Sequence, residues 1–261
     1  MEIKFINCFL NDKQINLEFD STDITAISTN NSCLFCDLIS LKLPLKGEII
    51  VDGVKVNDSN ISEYQRKISI VNTYKPISFL KTVLEYMNFI ITTENLKMKN
   101  PNKKIIDSLK IVGLNEKYLF RELNTLSKSE KELIQIATAL LSNPEMLVLT
   151  EQFSSLDLKN QKKIYMLLLR LKEQYHKTII ILSTDTNILY KYCTRAVIIK
   201  NDKVITGPIK DVYSKVETLR RSKIRVPDIV EFTYQARKQK KAKIDYHKDI
   251  RDIIKDIYKH I

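Results

Sequence analysis

Residues 123–157, LNTLSKSEKELIQIATALLSNPEMLVLTEQFSSLD, decide the fold. Ser127 is followed three residues on by Glu130, the pattern of a capping box in which a hydroxyl and a carboxylate close the first turn of a helix. Leu133, Ile136, Ala137, Leu140 and Leu141 then recur at helical spacing and make one apolar face. Asn143-Pro144 ends that helix. Residues 146–149 form an unbroken apolar run, as a strand covered on both faces requires. It closes on Thr150-Glu151, and a second helix is predicted over 158–175.

Outward from this core the same alternation continues. Residues 3–9 and 14–19 alternate apolar and polar side chains and predict a pair of strands. A short strand at 24–27, a helix at 34–41, and a strand at 47–51 ending in an Asp52-Gly53 turn follow. A strand is predicted at 68–71, and helical pattern at 80–119 with a break at Asn100-Pro101. Beyond the deciding stretch, 178–182 is a buried strand and 186–193 a helix, while 196–199 and 203–205 pair through Asn201-Asp202. Strands alternating with helices predict an α/β fold with a mainly parallel sheet. The tail from residue 215 is helical and basic, with 14 Lys and Arg against 7 Asp and Glu.

The 261 residues suffice for one large domain and a small appendage, and 44% hydrophobic content excludes a disordered chain. No apolar run approaches the ~20 residues of a membrane span, and the N-terminus has no signal-peptide pattern. The expected location is therefore cytoplasmic. Cys33 and Cys36 have the spacing of a redox or zinc pair, but Cys8 and Cys193 supply no second close pair. The four thiols are accordingly expected to be small buried hydrophobes, with no metal site. The net charge of +12 comes from lysines scattered along the chain, so nucleic acid is not the expected partner.

The order of these segments resembles an ATP-binding-cassette (ABC) ATPase. LKIVGL at 109–114, the stretch 123–157, TIIILSTD at 178–185 and GEIIVDG at 47–53 carry the resemblance, which runs over roughly residues 1–215. It implies a P-loop NTPase-like ABC ATPase fold in a domain over 1–214. That domain would have an N-terminal antiparallel β-subdomain, a mainly parallel core sheet and a helical signature subdomain over about 80–142. The tail LRRSKIRVPDIVEFTYQARKQKK, at 219–241, is similar to the small C-terminal region of energy-coupling-factor transporter ATPases. Residues 215–261 are then a basic C-terminal helical region. The implied partners are an intact ABC ATPase subunit and a transmembrane transporter subunit, met at the inner face of the membrane through Tyr74, Lys75 and Pro76.

The residues that the resemblance assigns to chemistry are mostly replaced. A phosphate loop needs glycines that let amides converge on phosphate, a lysine for the terminal phosphates and a hydroxyl for magnesium. Here the loop is Ser28, Asn30, Asn31, Ser32, Cys33, Leu34 and Phe35. Ser28, Asn31 and Cys33 stand for glycines, Leu34 for the lysine and Phe35 for the magnesium ligand. Thr150 stands for the aspartate that supports magnesium, Thr73 for the glutamine that senses the γ-phosphate, and Thr184 for the switch histidine. Glu151 matches the general base, read as a vestige because little else remains to stabilise transition-state charge. Ser127 of the signature and Asp157 of the following corner would face a partner's site, although Lys128, Ser129 and Glu130 alter the signature around them. The expectation is a chain with no nucleotide cofactor of its own, with ATP and Mg at a site shared with a partner. The alternatives are a repurposed scaffold that binds protein, RNA or anionic lipid, and a slow, unconventional ATPase. Phe5 or Phe9 could stack on adenine, but both are expected in the core.

Overall fold

The computed structural model describes every residue except 11–12, 30–31, 43–45, 73–79, 152, 154, 201–202, 241–243 and 260–261. In chain order the strands and helices are β1 (Ile3–Leu10), β2 (Lys13–Phe19), β3 (Ile24–Thr29), α1 (Ser32–Ile39), β4 (Glu48–Val51), β5 (Val54–Lys55), α2 (Ile61–Arg66) and β6 (Ile68–Asn72). Then come α3 (Val83–Thr93), α4 (Pro101–Ile111), α5 (Lys128–Leu141), β7 (Met146–Thr150), α6 (Leu158–Tyr175), β8 (Thr178–Leu182) and α7 (Thr186–Tyr192). The chain ends with β9 (Arg195–Lys200), β10 (Lys203–Pro208), α8 (Ile209–Tyr213), α9 (Val216–Arg221), α10 (Asp228–Lys240) and α11 (Ile250–Lys259). It forms two compact units, one of Met1–Thr22 with Cys33–Ile179, the other of Asp23–Ser32 with Ile180–Ile261.

In the first unit, period-2 alternation builds an antiparallel sheet in the order β2-β1-β4-β5. Its inner face holds Ile3, Phe5, Ile15, Leu17 and Phe19. The register of β1 against β2 shifts between Phe5 and Cys8, and Asn7 there has φ 52°. This bulge reverses the alternation, so the buried residues pass from Ile3 and Phe5 to Cys8 and Leu10. Phe9, expected in the core, is thereby turned outward and is 42% exposed. Gly47 sits against the bulge with φ 114°, where a Cβ would come within 2.5 Å of the Asn7 carbonyl oxygen. The same unit pairs β6 with β7 in parallel, Val71 beside Leu149. The predicted helical stretch 80–119 resolves into α3 and α4, with a loop between them and Asn100 at φ 54° just before Pro101.

The second unit pairs β3 in parallel with β9, Ile27 beside Val197, and β9 antiparallel with β10, Ile198 opposite Ile205. Asp23 accepts the Thr194 hydroxyl at 2.6 Å, which fixes the start of β3 against the turn into β9. Asn187 on α7 accepts the Asp228 amide at 2.7 Å and so caps α10. Tyr190 and Tyr213 pack with ring centroids 5.9 Å apart, and Cys193, Ile244 and Ile253 are buried.

Candidate functional site

The helix after the loop, α1, starts two residues earlier than its apolar pattern alone suggests. Phe35 points into the first unit and is fully buried. Its ring stands edge-on to Phe19 at 6.2 Å, and Phe19 stands edge-on to Phe5 at 6.5 Å. Such pairs contribute about 0.5–1.5 kcal/mol beyond burial. The position that the resemblance assigns to a magnesium ligand is thus occupied by the end of an aromatic core ladder. Leu34 beside it is half-buried and carries no charge. Leu34 and Phe35 do not fit a magnesium-bound triphosphate. Phe5 lies in the same ladder, as expected of a core residue, and not on an open surface.

Strand β7 is buried along its whole length. At its end the Thr150 hydroxyl donates to the Val71 carbonyl at 2.9 Å, across the β6–β7 pair. Its hydroxyl proton is committed to the sheet. Glu151 follows with φ 52°, half-buried. The chain beyond it is pinned by two residues that the motif did not single out. Gln161 donates to the carbonyls of Phe153 and Leu156, each at 3.0 Å. Glu132 on α5, only 4% exposed, accepts the Ser155 amide at 3.3 Å. Burial raises its carboxyl pKa, and hydrogen bonds from Ser155 and Phe153 offset part of that rise. The visible signal for Glu132 was its place four residues before Ile136, a carboxylate on the apolar stripe.

The segment that the resemblance gives as the signature is closed on itself. Ser127 accepts the Glu130 amide at 3.2 Å, and Glu130 accepts the Ser127 amide at 2.8 Å, which is the capping box that the spacing predicts. The second Glu130 oxygen accepts the Tyr118 hydroxyl and an Arg121 guanidinium N–H, both at 2.7 Å. Burial raises the Glu130 pKa, but the Ser127 amide and hydroxyl, Tyr118 and Arg121 together outweigh it and hold the carboxyl at about 2. A helix start that could draw in an anion already contains one. Because the folded pKa lies below the unfolded value, this stabilisation is complete above pH about 4.5 and is lost as pH falls towards about 2. Glu130→Gln keeps an acceptor at this position without a titration. Between those pH values the thermal midpoint of the parent chain should therefore fall more steeply than that of the variant, as circular dichroism would record.

Asp157 caps α6 by accepting the Asn160 amide at 2.8 Å, and is exposed. Ser28, near the end of β3, and Thr184, exposed after β8, belong to the second unit. Asn30, Asn31, Thr73 and the Tyr74-Lys75-Pro76 segment lie outside the described residues. Cys8, Cys36 and Cys193 are buried free thiols as expected. Cys33 is not: it stands exposed in the first turn of α1, because the earlier helix start turns it to the surface. No group of three or more metal-type side chains occurs among the described residues.

The family profile described as ABC transporter matches residues 13–154, more than half of the chain. The chain belongs to the ABC transporter family. This ABC chain is 28% identical over 220 residues to the energy-coupling factor transporter ATP-binding protein EcfA1 of Mycoplasmopsis synoviae, covering 82% of each. It is 27% identical over 245 residues to EcfA2 of Clostridium tetani, covering 90% of this chain and 84% of that one. Among solved structures it is similar to cbiO1 from Clostridium perfringens, described as part of the ABC transporter complex cbiONQ. The TM-score is 0.70 at 24% identity, covering 89% of this chain and 98% of that one. The ATP-binding cassette MJ0796, solved as a dimer with ADP and Pi, matches with TM-score 0.67 at 22% identity, covering 79% of this ABC chain and 98% of its own. At these identities the structural likeness is one of fold, and it is the ABC ATPase fold. No helix of the described residues is long and apolar enough to cross a membrane.

Proposed function

We propose that this ABC chain is the non-hydrolysing ATP-binding-type subunit of a heterodimeric energy-coupling-factor importer. It pairs with an intact cassette ATPase and docks on a transmembrane subunit at the inner face of the membrane. The relatives named EcfA1 and EcfA2 support the transport system. The observation that carries the loss of chemistry is the burial of Phe35 against Phe19, at the position that the resemblance gives to magnesium. Leu34 in place of the phosphate-loop lysine and the Thr150 hydroxyl engaged by the Val71 carbonyl point the same way. Glu151 is then a vestige, and Thr73 and Thr184 add no γ-phosphate contact of the family's kind. Ser127 and Asp157 face the partner's site, where ATP and Mg are bound, but the Glu130 carboxylate weakens the attraction for phosphate there. Residues 1–214 form the cassette and 215–261 the basic C-terminal region.

Affinity purification of the tagged chain from its native host, after gentle solubilisation, tests the proposal. Recovery of an intact cassette ATPase with a membrane subunit is the expected result. Recovery of neither, in a preparation that keeps known transporter complexes together, would overturn it. The scaffold alternative has one observation in its favour: Lys159, Lys162, Lys163 and Arg170 line a single groove along α6, with Glu173 the one acidic residue among the described residues that line it. RNA or anionic-lipid binding that collapses with added salt would favour that alternative.

A further inference from the structure

The Cys33-x-x-Cys36 pair takes no part in the function above, yet the fold gives it a definite arrangement. Both thiols lie in the first unit, at the start of α1, and both are free. Cys33 is exposed in the first turn, and Cys36, three residues on, is 8% exposed. Residues three apart on a helix share a face, with Cβ atoms about 5–6 Å apart. A disulfide needs about 3.5–4.5 Å. The difference is small, and it falls in a first turn whose amides have no partner within the helix, where adjustment costs least. Cys36 responds to its neighbour: burial is the main reason that its thiol is pushed up to about 11, and Cys33 is the next cause. A zinc site would need further ligands, and no such cluster occurs among the described residues.

We infer that Cys33 and Cys36 form a dithiol site that exchanges with small-molecule disulfides, Cys33 attacking and Cys36 resolving. In the first step the Cys33 thiolate attacks one sulfur of a disulfide R–S–S–R. A Cys33–S–S–R bond forms, the R–S–S–R bond breaks, and one RS⁻ leaves. In the second step the Cys36 thiolate attacks the Cys33 sulfur. The Cys33–Cys36 bond forms and the second RS⁻ leaves. The dithiol gives up two electrons and its two protons, and the small disulfide becomes two thiols. Burial disfavours the Cys36 thiolate and so slows the second step, which makes the mixed disulfide on Cys33 the intermediate to trap. The helix start that follows β3 thus becomes an oxidisable element, whatever the chain does with ATP.

The test is to incubate the full chain with oxidised glutathione, quench with acid, alkylate, and follow intact and peptide masses with time. The expected result is a transient glutathione adduct on Cys33, followed by a species lacking two hydrogens whose peptide links Cys33 to Cys36. Cys36→Ser should stop at the adduct, and Cys33→Ser should abolish both species, with Cys8 and Cys193 unmodified. An adduct on Cys33 of the parent chain that never resolves, or a Cys33 that does not react while free glutathione-reactive peptide in the same tube does, would overturn the proposal.

Discussion

Phe35→Ser should lower the stability of the folded chain by about 3–5 kcal/mol, the range for emptying a fully buried aromatic site. It should not create an ATPase. The substitution returns the residue type that the family uses for magnesium, so it would be the natural first step of a repair. Phe35, however, is fully buried, and its ring meets Phe19, which meets Phe5. Removing it opens a cavity at the end of the ladder and places a hydroxyl among apolar side chains. Urea unfolding would show the midpoint falling with little change in slope. A loss below about 0.5 kcal/mol, within the scatter of surface substitutions, would mean that Phe35 is not a core residue.

Glu151→Gln in this chain should leave the ATP turnover of the assembled complex unchanged within about twofold, because a general base works only where the other parts of the site are present. General acid–base catalysis contributes about 10²–10⁴-fold, so a working base would reveal itself plainly. The matching substitution in the cassette that co-purifies should cost that full factor. Turnover by the isolated chain that depends on Mg²⁺ and disappears in Glu151→Gln would instead establish the slow, unconventional ATPase. The contrast needs no assumption about which substrate is transported.

Much of this fold is legible in the sequence where one principle acts alone. The second helix after the signature and the buried strand beyond it have the bounds that periodicity assigns, α6 over Leu158–Tyr175 and β8 over Thr178–Leu182. The Ser127–Glu130 box is legible because both partners lie within one turn. Phe9 is misread because a bulge, set by contacts of β1 with β2, reverses the alternation midway. The early start of α1 is missed because Ser32 and Cys33 fall within the stretch that the resemblance gives to the loop, and the same reading conceals the exposure of Cys33. Helices as short as α2 and α8 span barely more than a turn and leave no periodic pattern to count. At the candidate site, residue types show how the chain departs from the pattern that the resemblance assigns, but not what each side chain does in the fold. That Phe35 packs into the core against Phe19, that the Thr150 hydroxyl donates to Val71, and that Tyr118 and Arg121 donate to Glu130 depend on partners distant in sequence or on orientation.

The most direct test of the proposed loss of phosphate-loop chemistry is equilibrium binding of ATP to the purified full chain, with and without Mg²⁺, by calorimetry. No saturable, Mg²⁺-dependent binding is expected up to millimolar nucleotide. Saturable binding in the micromolar range that vanishes when magnesium is chelated would contradict it.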